Sequence, residues 1–78
     1  MPHITIKCYP GRTEEQKKKC AESVALAIAN TLGCDISAVS LEIDEIEKEN
    51  WTSDVWDKEI SPNMENLYIK PGYKPENR

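Results

Sequence analysis

Apolar and polar residues alternate from His3 to Tyr9. Ile4, Ile6 and Cys8 fall on one side, and His3, Thr5, Lys7 and Tyr9 on the other. A period of two predicts a half-buried strand, which Pro10-Gly11 ends. The alternation returns from Val39 to Ile46, with Val39, Leu41 and Ile43 on one face and Ser40, Glu42 and Asp44 on the other. Between the two lies a different period. Thr13-Glu14-Glu15-Gln16 has the form of a capping box, in which the Thr13 hydroxyl accepts from the Gln16 N–H while the Gln16 side chain reaches back. The helix it starts is expected to run to about Leu32 and to stop at Gly33, a residue that tolerates positive φ. At helical spacing, Lys17 (by its stem), Cys20, Val24, Ala27, Ile28 and Thr31 form the inner face. Lys18, Glu22 and Ala29 lie opposite, and Leu26 is left among polar positions as an exposed leucine or a partner contact.

Strand, long helix, strand is a βαβ unit, whose strands run parallel. The expected fold class is therefore α/β: a two-layer fold with the helix covering Ile4, Ile6, Leu41 and Ile43. Two strands and one helix make a thin structure. After the charged Glu47-Lys48-Glu49, Ser53 can cap a second, shorter helix carrying Trp56, Ile60, Met64 and Leu67, with Pro62 interrupting or restarting it. Asp35 to Ala38 reads as a short turn. The end, Lys70-Pro71-Gly72-Tyr73, reads as another turn, followed by a loosely ordered polar tail over about 74–78. With no repeat and no linker, residues 1–78 are expected to form a single domain.

Size changes this picture. A chain of 78 residues buries a modest core, and association with further copies is the usual remedy. The net charge of −4 excludes a nucleic-acid binder of the ordinary basic kind, and Lys17, Lys18 and Lys19 sit among glutamates. No apolar run approaches the roughly 20 residues of a membrane span, and MPHITIKC lacks the regions of a signal peptide. Cys8, Cys20 and Cys34 show no C-x-x-C spacing, and His3 is the only histidine. They are read as buried thiols in a reducing compartment, with no metal and no cofactor implied. A cytoplasmic location follows.

The candidate chemistry is at the start of the chain. Removal of Met1 would leave Pro2 with a free secondary amine. An α-amino group titrates near about pH 8 in reference peptides, and burial or a nearby cation lowers that value. A general base works best with a pKa near the operating pH, so such an amine can be neutral and basic at pH 7. The alternative is a merely structural start. Arg12, just beyond the first strand, can grip a carboxylate through paired hydrogen bonds that lysine cannot copy. It is otherwise a surface arginine at a helix start, where the dipole does not favour it. Trp51 and Trp56 are ordinary core candidates, Trp56 especially by its helical spacing. His3 points away from Ile4 and is read as a surface or interface residue, not a second base.

Pro2, the strand Ile4-Thr5-Ile6-Lys7, the segment Gly11 to Lys17 and the strand Val39 to Ile46 together resemble the 4-oxalocrotonate tautomerase family. These are small βαβ proteins whose mature chain begins with a catalytic proline. The resemblance covers the first two-thirds of the chain, and the Trp56-to-Tyr73 extension looks like the longer, often dimeric branch. It implies a keto–enol tautomerase acting on a small 2-oxo acid or its enol. Pro2 would then be the general base and acid, Arg12 the carboxylate clamp, and Trp51 an apolar pocket wall. It also implies a homodimer that completes the sheet, with a hexamer as the further possibility. One position departs from the pattern. Where the better-known members carry a second arginine, this chain has Ser40, which lines the site without that charge. A monocarboxylate or an aryl pyruvate stacking on Trp51 then fits better than a dicarboxylate. Two alternatives stand beside the enzyme reading: a catalytically silent oligomeric binding or scaffold member, and a hydratase or dehalogenase of unsaturated acids. The latter must activate water, for which no carboxylate is clearly placed.

Overall fold

Two six-residue strands, β1 (His3–Cys8) and β2 (Ser40–Glu45), pair in parallel, with His3 opposite Ser40 and Cys8 opposite Glu45. They are joined by the helix α1 (Glu14–Leu32) and a 3₁₀ turn at Ile36–Ala38. The computed structural model describes residues 1–76, so Asn77 and Arg78 of the expected tail lie outside the described residues. The chain divides into two compact units, Met1–Glu45 and Ile46–Arg78.

In the first unit the start and stop signals work as their chemistry requires. Thr13 Oγ1 accepts from the Gln16 N–H at 3.1 Å, and Gln16 Oε1 accepts from the Thr13 N–H at 2.9 Å. Two otherwise orphaned amides are thereby satisfied. At the other end Gly33 has φ 73°, where a side chain would be strained. The Gly33 and Cys34 amides then both reach the Ala29 carbonyl at 3.0 Å. Gly11, at φ 120°, makes the turn that releases β1 toward α1. Asp35 Oδ1 accepts from the Ser37 N–H at 2.9 Å and caps the 3₁₀ turn. The bonds from the Ser37 amide and hydroxyl hold its carboxyl below the usual value.

The inner face of α1 is rotated from the one the spacing predicts. Lys17, Ala21, Val24, Ala25 and Ile28 are half-buried and Ala29 is 6% exposed, whereas Cys20, Ala27 and Thr31 are exposed. Helical spacing centred the stripe on Cys20, Ala27 and Thr31. Packing favours Ala21, Ala25 and Ala29, because short side chains at a spacing of four let a helix approach a sheet closely. The same rotation corrects the reading of buried thiols: Cys20 is exposed and Cys8 and Cys34 are half-buried, all three free. Leu26 is 53% exposed. Ile4, Ile6, Leu41 and Ile43 point to the helix side but are only half-buried.

The second unit is less regular. After a 3₁₀ turn (Lys48–Asn50), a nine-residue π-helical segment runs over Thr52–Ile60, and a 3₁₀ segment over Ser61–Asn66. The Ser61 amide reaches back to the Trp56 carbonyl, an i→i+5 bond. Ser53 does not cap this helix, which begins one residue earlier; its hydroxyl donates to the Asn50 carbonyl at 3.3 Å. Pro62 stands in the first turn of the 3₁₀ segment, where its missing N–H costs nothing, and so restarts the helix. Val55 and Trp56, each 5% exposed, are the buried ones among the described residues here. Lys70 Nζ donates to the Met64 and Leu67 carbonyls at 2.9 and 3.2 Å, satisfying acceptors at the end of the 3₁₀ segment. No helix among the described residues is long and apolar enough to cross a membrane.

Candidate active site

Pro2 sits immediately before β1, half-buried, and the sheet holds it by the backbone. The Ser40 N–H donates to the Pro2 carbonyl at 3.1 Å, extending the parallel ladder one residue toward the chain start. Met1 before it is fully exposed. While Met1 is attached, the Pro2 nitrogen is an amide without basicity. Once it is cleaved, that nitrogen becomes a secondary amine on a residue whose carbonyl is already fixed.

Ser40 is brought to Pro2 by the register of the two strands. Its side chain contacts His3, with Oγ and Nδ1 2.6 Å apart. His3 is exposed, as its place on the polar face of β1 requires. The next pair along that face is also bonded, Thr5 Oγ1 donating to Glu42 Oε1 at 3.1 Å.

Arg12 is not brought to Pro2 within one chain. It follows the exit of β1, and a six-residue strand is roughly 20 Å long. Its guanidinium is tied to that end of the strand, Nη1 donating to the Tyr9 carbonyl at 3.1 Å. A single hydrogen bond leaves most of its five donors available. Arg12 borders a cavity of about 340 Å³ with Ile6, Cys8, Gln16, Cys20 and Ile43. Nearby, Lys17 Nζ lies 2.8 Å from Glu14 Oε1 and 3.3 Å from Glu45 Oε1, tying the start of α1 to the end of β2. Hydrogen bonding and charge from Lys17 pull the Glu14 carboxyl below its usual value, and hydrogen bonds to Glu14 and Glu45 push the Lys17 ammonium up.

Trp51 belongs to the second unit. It is half-buried, and its indole Nε1–H donates to the Tyr73 hydroxyl at 2.9 Å. Tyr73 also packs on Trp56, with ring centroids 5.4 Å apart and planes tilted by 53°, a favourable aromatic geometry. Trp56 is the core residue its spacing implies. Tyr73 was not legible as a site residue. The one signal was that an indole N–H out of water needs an acceptor, which does not say where that acceptor comes from. Among the described residues no group of three His, Cys, Asp or Glu side chains is close enough to hold a metal ion.

A family model described as a tautomerase enzyme matches residues 2–55, which take in Pro2, both strands, α1 and Trp51. The chain belongs to the tautomerase family. It is 39% identical to Tautomerase PptA of Enterobacter sp. (strain 638) over 74 residues, spanning 94% of this chain and 97% of the relative. With Tautomerase PptA of Escherichia coli (strain SMS-3-5 / SECEC) it shares 42% identity over the same extent. Among solved structures it is similar to YwhB, a homologue of 4-oxalocrotonate tautomerase. The TM-score is 0.59 at 36% identity, over 60% of this chain and 77% of that one. This tautomerase is therefore an enzyme of the isomerase type, on a two-layer α/β fold with a parallel two-stranded sheet.

Proposed function

We propose that this tautomerase interconverts the keto and enol forms of a small 2-oxo acid. The Pro2 amine, freed of Met1, carries the proton between carbon and oxygen. The observation that carries the reading is the Ser40 N–H bond to the Pro2 carbonyl: the residue bearing the amine is anchored in the sheet, as a base must be to meet a substrate in one orientation. As base the amine takes a proton from the hydroxyl of the enol, and as acid it delivers one to the carbon that becomes sp³. Arg12 holds the substrate carboxylate, Trp51 presents an apolar wall to its side chain, and Ser40 lines the site without adding a charge. The favoured substrates are accordingly monocarboxylates, aryl pyruvates among them.

A site made of Pro2 and Arg12 requires a second copy of the chain. The two residues lie at opposite ends of β1, farther apart than a small 2-oxo acid can bridge. A two-fold edge pairing of this parallel sheet sets the strands of the two copies antiparallel. The Arg12 end of one copy then faces the Pro2 end of the other. Several features favour such a homodimer: both strands have unpaired edges, a liability that proteins cover, and the apolar sheet residues Ile4, Ile6, Leu41 and Ile43 are only half-buried. Leu26, Tyr68 and Ile69 are exposed, the last two almost completely. The partners are thus the carboxylate substrate and the chain itself, in a closed two-fold contact.

The test is ketonisation of phenylenolpyruvate by protein lacking Met1. Pro2→Ala is expected to slow it by about 10² to 10⁴. Arg12→Ala is expected to raise KM, and Arg12→Lys to restore it poorly, since an ammonium cannot form the paired bonds. A folded Pro2→Ala protein with the parent rate would remove Pro2 from the reaction. A lysine variant equal to the parent would remove paired recognition.

A further inference from the structure

The polar face of the sheet carries three cross-strand pairs in register: His3 with Ser40, Thr5 with Glu42, and Lys7 with Asp44. The first differs from the others in what it is attached to. Ser40 bonds His3 through its side chain at 2.6 Å and Pro2 through its main-chain N–H at 3.1 Å. One residue of β2 thus holds both residues that surround the reactive end of β1. The contact satisfies either imidazole tautomer, the hydroxyl donating to Nδ1 or accepting from Nδ1–H.

The mechanical consequence concerns one torsion. Without Met1, the pyrrolidine ring hangs from the chain only through the Pro2 Cα–C bond. Rotation about that bond swings the amine relative to the peptide plane joining Pro2 to His3. The plane is restrained on one side by the Ser40 N–H on the Pro2 oxygen. On the other it is restrained by the His3 ring, tied to the Ser40 hydroxyl. A base aimed at one carbon and one oxygen of a substrate loses rate quickly when its platform tilts.

We propose that His3 is a positioning residue for the Pro2 amine, acting through the Ser40 hydroxyl. This rests on the reading of Pro2 as the base. The role asks for a hydrogen-bonding group at the position of Nδ1 and for nothing else of the imidazole. Asparagine can supply that group and leucine cannot.

The experiment compares parent, His3→Leu, His3→Asn, Ser40→Ala, the His3→Leu/Ser40→Ala double variant and Pro2→Ala. All are confirmed by mass to lack Met1 and are assayed with phenylenolpyruvate. His3→Leu and Ser40→Ala should each lower kcat about tenfold and leave KM within about twofold. The double variant should be no slower than the slower single one, because both remove the same bond. His3→Asn should recover most of the lost kcat. Losses that multiply in the double variant, an Asn variant no better than Leu, or a fall in melting temperature with kcat intact would each overturn the brace. If Pro2→Ala is slow while His3→Leu and Ser40→Ala match the parent, the brace fails and the base reading stands. If Pro2→Ala keeps the parent rate, both fail.

Discussion

The two units of the chain are held in different ways. Met1–Glu45 is built from repeated backbone bonds: a parallel ladder, a helix of about five turns, a capping box at its start and a left-handed glycine at its end. All but the ladder are local, and each residue type is where its own chemistry prefers to be. Ile46–Arg78 relies instead on a few side chains. A π-helical segment and a 3₁₀ segment meet at Pro62, Lys70 satisfies free carbonyls, and Tyr73 returns to Trp51 and Trp56. Many small terms stabilise the first unit and a few large ones the second. Single substitutions should therefore act unequally on them.

The largest effect on stability is expected in the second unit. Trp56→Ala removes one of the two buried side chains among its described residues together with the ring contact to Tyr73, and should cost about 3 to 5 kcal/mol. Urea unfolding followed by far-UV circular dichroism measures it. A cost below about 1 kcal/mol would mean that Trp56 does not carry this unit. In the first unit, Thr13→Ala removes one half of the capping box and should cost about 1 kcal/mol, with Thr13→Ser close to the parent. A loss as large as that of Trp56→Ala would show that the cap is not one small term among many.

The smallest effect is a pH dependence. Glu14 has its carboxyl lowered from the ordinary 4.5 by Lys17. Its stabilising contribution is therefore present above that value and lost as pH falls through the lowered one. Lys17, raised from 10.5 by Glu14 and Glu45, contributes below its ordinary value and loses that contribution as pH rises through the raised one. Between the two windows the contribution is flat. The difference in melting temperature between parent and Glu14→Gln should accordingly be constant near neutrality and shrink in acid. A difference that grows in acid would reverse the assigned sign.

The same contrast decides what can be read from the sequence. β1, α1 and β2 are legible because period two, helical spacing and the Thr13–Gln16 and Gly33 signals act within a few residues of one another. The error in the face of α1 came from centring the helical stripe on Cys20, Ala27 and Thr31, when close approach rewards Ala21, Ala25 and Ala29. In the second unit the Pro62 restart was legible, being a property of proline itself. The Trp51–Tyr73 bond was not. It joins positions 22 residues apart through a turn without periodicity, so Tyr73 read only as the end of that turn. Within the site, the pairing of Ser40 with Pro2 needs the strand register, which alternation alone leaves free to slip by two. The separation of Pro2 from Arg12 was already implied by the strand between them.

The account turns on one nitrogen, which is basic only when Met1 is absent. The most direct measurement follows intact mass and phenylenolpyruvate ketonisation together, across samples in which Met1 has been removed to different extents. The rate per chain should rise in proportion to the processed fraction and extrapolate to the uncatalysed rate where every chain keeps Met1. A fully Met1-bearing sample that turns over as fast as the processed one would contradict the account, because an amide nitrogen would then be doing no worse than an amine.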